Sequence, residues 1–219
     1  MRAIPLLLAP VLLAAGEALT PQGLDKPITS VDTARRLLRI AEQHIGRLYV
    51  SNLMVMAGLG LLGAAFVVLG RCVGSRLAAV AGTLGAVGGF CGALCNLIIG
   101  YDLAAAADSG VSADAAARVL VTAGTATVGW LLLVTYLGCL LLAAVLMSVA
   151  LARWEPVPRR LAVAFPFALL VAGASPAGPV AVVMSLPFVA VMVALALRLD
   201  PLHHEARFVR GRAPGSATG

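Results

Sequence analysis

From Leu48 to Leu69 the chain runs 22 residues without one charged side chain. At 1.5 Å per helical residue that is roughly 33 Å, enough to cross the hydrocarbon core of a bilayer. Such a stretch has few places to go. Lipid offers its backbone no hydrogen bonds, so the segment must satisfy its own as a helix. Further apolar runs obey the same constraint at 4–19, 77–99, 128–152, 161–174 and 179–199. The last two are one stretch broken by Pro and Gly at Ser175 to Pro179, a tight-turn signal. Pro166 and Pro187 are expected kink sites within that hairpin.

The expectation is an all-α polytopic transmembrane helix bundle of six spans. It is a single domain over residues 1–200, followed by a flexible cytoplasmic tail at 201–219. Composition agrees, because 12% of the residues are charged and 61% hydrophobic, whereas a soluble domain carries about 25% charge. Trp130 and Trp154, near the two ends of the fourth run, fit the aromatic belts of the two interfaces.

Charge placement sets the threading. With the N-terminus inside, the cytoplasmic segments hold 10 of the 16 basic residues, among them Arg71, Arg76, Arg153, Arg159 and Arg160 in the two short loops. The loop from Tyr101 to Arg118 carries three Asp and one Arg. Short basic loops stay inside, so both termini are expected to be cytoplasmic and the protein to sit in the cell membrane. The net charge of +6 then reflects this bias. No basic patch interleaves with aromatics, so nucleic acid is not an expected partner. The first run has a thin positive region, Met1 and Arg2, and small residues at Ala14, Gly16 and Ala18. Signal cleavage is one alternative; a retained first span is the expectation.

Between the first two runs, Thr29 to Ile45 has helical periodicity. Val31, Ala34, Leu37, Leu38, Ala41 and Ile45 share one face, and Asp32, Arg35, Arg36, Arg39 and Glu42 the other. Thr29 and Asp32 fit a capping box. This short amphipathic helix lies either on the membrane or on the bundle's own outer end.

Ionisable groups inside spans mark function, and here they are scarce. A polar cluster is expected at the outer face instead: Glu17, His44, Arg47, Tyr49, Asn52, Asn96, Tyr101 and Asp102. Arg47 is the expected partner of Glu17, or else of Asp102. The cluster serves either as a structural cap or as a site that orients a polar headgroup. No metal spacing occurs, since His44 stands alone and His203 and His204 are adjacent. No cofactor is expected. Cys72, Cys91, Cys95 and Cys139 read as small apolar residues. Gly85, Gly88, Gly89 and Gly92 let helices approach closely. They make the third span the packing centre of the bundle or, alternatively, a homodimer face.

At "GEALTP" and "HIGRLYVSNLMVMAG" the chain resembles a domain-of-unknown-function family of small six-span bacterial, mainly actinobacterial, membrane proteins. The resemblance covers roughly residues 1–200. It implies a six-helix membrane fold and no known activity, and it directs attention to Glu17, Arg47, Tyr49 and Asn52. The functional expectation is a non-enzymatic membrane component or accessory subunit. The alternatives are a small-molecule or lipid carrier using the outer polar cluster, and an intramembrane enzyme. A carrier requires a cavity reaching mid-membrane, an enzyme requires an acid and a base within reach of a substrate, and a subunit requires neither.

Overall fold

The computed structural model describes residues 3–24, 28, 30–108, 110–124, 127–174 and 176–211. These form α-helices and no strand. In chain order they are α1 (Ile4–Leu19), α2 (Val31–Gln43), α3 (Ile45–Val73), α4 (Arg76–Asp108), α5 (Ala113–Gly124), α6 (Thr127–Ala152), α7 (Arg159–Gly173) and α8 (Pro179–Gly211). Four helical segments, Ile45–Val73, Arg76–Asp108, Gly129–Ala152 and Pro179–Leu199, are long and apolar enough to cross a membrane. That marks the chain as a membrane protein. α1 and α7 are shorter, at 16 and 15 residues.

The six apolar helices close a ring in chain order. α1 packs on α3, α3 on α4, α4 on α6, α6 on α7, α7 on α8, and α8 returns to α1. Small residues make these seams tight, because in lipid close packing replaces the hydrophobic drive. A Cβ on Gly16 would lie 2.6 Å from Val55 Cγ2, and one on Gly58 would lie 2.8 Å from Leu13. On the α3–α4 seam, a Cβ on Gly89 would meet the Leu59 carbonyl oxygen at 2.6 Å, and Gly85 holds the Phe66 ring. On the α4–α6 seam, Gly88 faces Leu140 and Gly92 faces the Tyr136 ring. All four glycines of the sequence motif are therefore used inside the bundle, with α4 at its packing centre.

One end of the ring is basic, and its axis is packed with apolar side chains, its pockets lying on the outer surface between helix ends. Leu6, Leu69, Ala78, Leu151, Val157 and Leu199 belong to one buried cluster there, next to the turns that carry Arg71, Arg76, Arg153, Arg159 and Arg160. Further in, Phe66 and Phe165 meet edge to face across the ring, with centroids 5.6 Å apart. The Ser148 hydroxyl donates to the Ala162 carbonyl at 2.8 Å and ties α6 to α7.

The other end wears a second layer. Ala34, Leu37, Leu38 and Ala41 of α2 are buried against Leu48, Leu103, Ala104 and the α5 residues Ala116, Ala117 and Leu120. Arg35 reaches Asp114 of α5 at 2.8 Å and Asp32 at 2.9 Å. The periodicity of α2 is legible in the sequence, and its apolar face rests on the protein itself. The cap differs by one residue from the expected box: Ser30 accepts from the Thr33 N–H at 3.2 Å, while Thr29 lies outside the described residues. Ser30 is extended, with Thr33 three residues on, which is what an N-cap needs. The segment expected as a loop from Tyr101 to Arg118 is instead mostly helix. α4 continues past Ile99 to Asp108, and α5 begins at Ala113. Both are helical there because α2 gives their alanines and leucines an apolar partner. At the C-terminus α8 continues to Gly211, beyond the expected start of the tail, and residues 212–219 lie outside the described residues.

Candidate functional site

A helix leaves its last four carbonyls without internal donors. In α1 these are Gly16, Glu17, Ala18 and Leu19, and each finds a donor. The Thr20 N–H and hydroxyl both donate to Gly16 O at 3.0 Å. The Gly178 N–H, in the α7–α8 turn, donates to Glu17 O at 2.9 Å. Arg47 donates from Nε to Leu19 O at 2.6 Å and from Nη2 to Ala18 O at 3.2 Å. Three separate segments thus hold the end of α1, and with it the position of Glu17. Arg47 does reach α1, as expected, but these two hydrogen bonds go to main-chain oxygens rather than to the Glu17 carboxylate. Asp102 is exposed and is not the acceptor.

Behind this rim the ring is hollow. An apolar chamber of about 290 Å³ lies among α1, α3, α6, α7 and α8. Leu59 and Leu140, which line it, sit at the middle of α3 and α6. Leu59 is 14 residues from the start of α3, so the chamber reaches roughly 21 Å down the helix. Phe188 and Leu62 line its wall, and buried Ser185 contributes a hydroxyl. Between α6 and α7 the wall consists of Leu137, Leu141 and Leu170, which are 47%, 43% and 47% exposed. This seam is the most lightly packed of the ring, and the chamber opens to the outside of the bundle there.

A second, more polar chamber of about 250 Å³ lies against the first, between α1, α3 and α4. Glu17, Leu59 and Tyr136 line both. Thr20, Asn52, Cys95 and Asn96 also line the second, and Ala177 of the α7–α8 turn contributes to it. Two glycines of α4 let its wall side chains pack closely. A Cβ on Gly100 would fall on the Asn52 carboxamide, and one on Gly92 would lie 2.6 Å from the Tyr136 ring. Asn52 Nδ2 and Asn96 Oδ1 are buried and have no hydrogen-bond partner among the described residues. Buried polar atoms are nearly always paired, so such exceptions point to a ligand or to ordered solvent.

The expected cluster therefore divides. Glu17, Asn52 and Asn96 meet at the polar chamber. His44 and Arg47 lie on the outer rim with Gln22 and Gln43, around a shallow groove of about 360 Å³. Tyr49 packs into the α2–α5 layer. Tyr101 is 57% exposed, and Asp102 is exposed beside it. Helical period explains the split. On α4 the chamber takes Gly92, Asn96, Gly100 and Leu103, spaced by four, four and three, and Tyr101 and Asp102 fall off that face. On α3 it takes Leu48, Asn52, Val55 and Leu59, and Tyr49 is one step off. Tyr136, Thr20 and Ser185 join the walls without having been expected there. The signal that finds Tyr136 is its hydroxyl, placed inside a run of leucines.

Among the described residues no group of three or more His, Cys, Asp or Glu is placed to hold a metal ion. The four cysteines are free thiols. Comparison with protein-family models, with curated proteins and with solved structures finds no match to this chain. The family resemblance read from the sequence assigns no role to any residue of the two chambers.

Proposed function

We propose that this is a six-span protein of the cell membrane that binds an amphiphile, working as a lipid or small-molecule carrier. The tail lies in the apolar chamber and the polar head lies against Glu17, Asn52, Asn96 and Tyr136. The observation that carries this reading is the pairing of the two chambers across a shared wall, at a depth reaching mid-helix. A carrier needs such a space, whereas an accessory subunit needs only an outer packing face. The lightly packed α6–α7 seam supplies an entry from the bilayer. Each chamber alone lies just below the ~300–1,000 Å³ typical of ligand pockets, and the two adjoin across Glu17, Leu59 and Tyr136.

In the same proposal α1 and α7 also span, with both termini cytoplasmic. The six apolar helices form one ring, and the arginine-rich turns gather at the end opposite the α2–α5 layer. Impermeant thiol labelling of a cysteine placed at Ser75, in a chain lacking its native cysteines, tests the orientation. Labelling from outside intact cells would overturn it.

The binding reading is tested by native mass spectrometry of the detergent-extracted chain. The wild type should retain one amphiphile per chain. Ser185→Leu fills the apolar chamber from α8 and should lower retention at least about tenfold, equivalent to about 1.4 kcal/mol of binding energy. Its melting temperature should be unchanged. A wild type that carries no amphiphile, or a folded Ser185→Leu that retains as much as the wild type, would sink the reading and favour an accessory subunit.

A further inference from the structure

We infer that the polar chamber selects an uncharged, hydroxyl-bearing head group, as in a glycosyl or glycerol lipid, and discriminates against a phosphate head. This rests on the amphiphile reading above and names the class of head it takes.

Three observations carry it. The first is the pair of buried polar atoms without protein partners. Asn52 Nδ2 is a donor seeking an acceptor, and Asn96 Oδ1 is an acceptor seeking a donor. They come from neighbouring helices, α3 and α4, and both residues line the same chamber. A hydroxyl both gives and accepts a hydrogen bond, so a group with adjacent hydroxyls answers both at once. An ammonium head only donates and leaves Asn52 Nδ2 without an acceptor. A phosphate diester only accepts and leaves Asn96 Oδ1 without a donor. Turning both carboxamides over exchanges donor for acceptor on each and again leaves one of each kind.

The second observation is charge. The chamber holds the Glu17 carboxylate, and no Lys, Arg or His is among the described residues lining it. Arg47 lies outside it on the rim, where its guanidinium serves the Leu19 and Ala18 carbonyls. An anionic head would enter a confined space beside a carboxylate, with no cation lining it among the described residues. Membrane proteins that bind phosphate heads present basic pockets to them.

The third is room. Gly92 and Gly100 let the Tyr136 ring and the Asn52 carboxamide lie directly against α4, and the chamber of about 250 Å³ that both side chains line is the space left beside them. A sugar ring or glycerol fits flat against an aromatic face beside amide groups. The Glu17 carboxylate can accept a hydroxyl proton in a charge-assisted hydrogen bond, which is stronger than a neutral one.

The test uses the full chain in detergent micelles and native mass spectrometry with amphiphiles sharing dioleoyl tails. The heads are free glycerol hydroxyl (dioleoylglycerol), monoglucosyl, and phosphatidylmethanol, a phosphate diester without a donor. The two hydroxyl-only heads should bind at least about tenfold more tightly than phosphatidylmethanol, one unpaired buried group being worth about that factor. Asn96→Leu, which removes the acceptor that the diester leaves unmet, should erase most of this preference. Glu17→Gln keeps the size of the side chain, and it should raise phosphatidylmethanol binding relative to glucosyl binding. Melting temperature and size-exclusion profile establish that each variant is folded. Equal or tighter binding of phosphatidylmethanol overturns the head-group inference, as does a preference untouched in both variants. If the wild type binds no amphiphile with any head, the chamber reading itself fails. Tail binding with no head preference removes only this inference.

Discussion

The two halves of the ring are built from the same helices and solve the interior differently. At the basic end, Phe66 and Phe165 cross the ring edge to face, and Met147, Met192 and Leu195 are fully buried around them. At the capped end the same six helices enclose two chambers, with Glu17, Asn52, Asn96 and Tyr136 on their walls. Close packing is the default for a protein interior. A ring that fills one half with large side chains had the means to fill the other. The hollow half is therefore not imposed by the fold. Its two unpaired carboxamide atoms lower stability where leucines would raise it, and proteins accept such losses at sites of function.

The sharpest way to break this comparison is to empty the filled half. Phe165→Ala removes the ring that spans the interior. It should destabilise the bundle by about 3–5 kcal/mol, the usual loss for a buried aromatic. Leu169→Ala, one turn further along α7, lines the apolar chamber. Its side chain already borders open space, so truncation creates no new cavity and should cost less than about 2 kcal/mol. Thermal unfolding in a single detergent compares the two. Equal losses would mean that the chamber is collapsed in solution and that the halves do not differ.

The opposite change is to close the hollow half. Asn96→Leu keeps the branched shape of the side chain and removes a buried acceptor that has no donor among the described residues. It should stabilise the folded chain by about 1–3 kcal/mol, the penalty such a group carries. It should also weaken retention of the bound amphiphile. A melting temperature that falls would show that Asn96 serves the fold itself rather than a ligand.

How far the sequence foretells these halves depends on which constraint wrote each part. The apolar runs are legible because a bilayer imposes length and composition on any helix that crosses it. α5 is not legible. Its segment, "ADAAARVLVTAG", is alanine-rich with Asp114 and Arg118 inside it. It becomes an amphipathic helix only once α2 supplies an apolar surface and Arg35 a partner for Asp114. Glu17, Asn52 and Asn96 are visible as polar side chains within or beside apolar runs. Tyr101 and Asp102 group with them only by proximity along the chain. The 3.6-residue period turns them away from the face that carries Asn96. Tyr136 escapes notice because an aromatic ring in a leucine run reads as apolar, and its hydroxyl acquires meaning only beside Glu17.

The smallest effect concerns Arg47 and separates two accounts of the rim. The sequence points to an ion pair between Arg47 and Glu17, in which case the two side chains act as one unit. The geometry gives Arg47 a main-chain task as well, since its guanidinium caps the Leu19 and Ala18 carbonyls at the negative end of the α1 dipole. A cation so placed, and exposed to solvent, contributes about 0.3–1 kcal/mol. Water replaces it at an open rim, so Arg47→Gln should cost no more than that. Glu17→Gln acts on the chamber side of the same turn. If the main-chain cap is the whole of Arg47's task, the two effects add to within about 0.5 kcal/mol. The double variant should therefore lose the sum of the two single losses, and amphiphile retention should respond to Glu17→Gln alone. A coupling energy well above that margin in a double-mutant cycle would restore the ion pair. It would then make the rim, rather than the chamber, the place where Glu17 does its work.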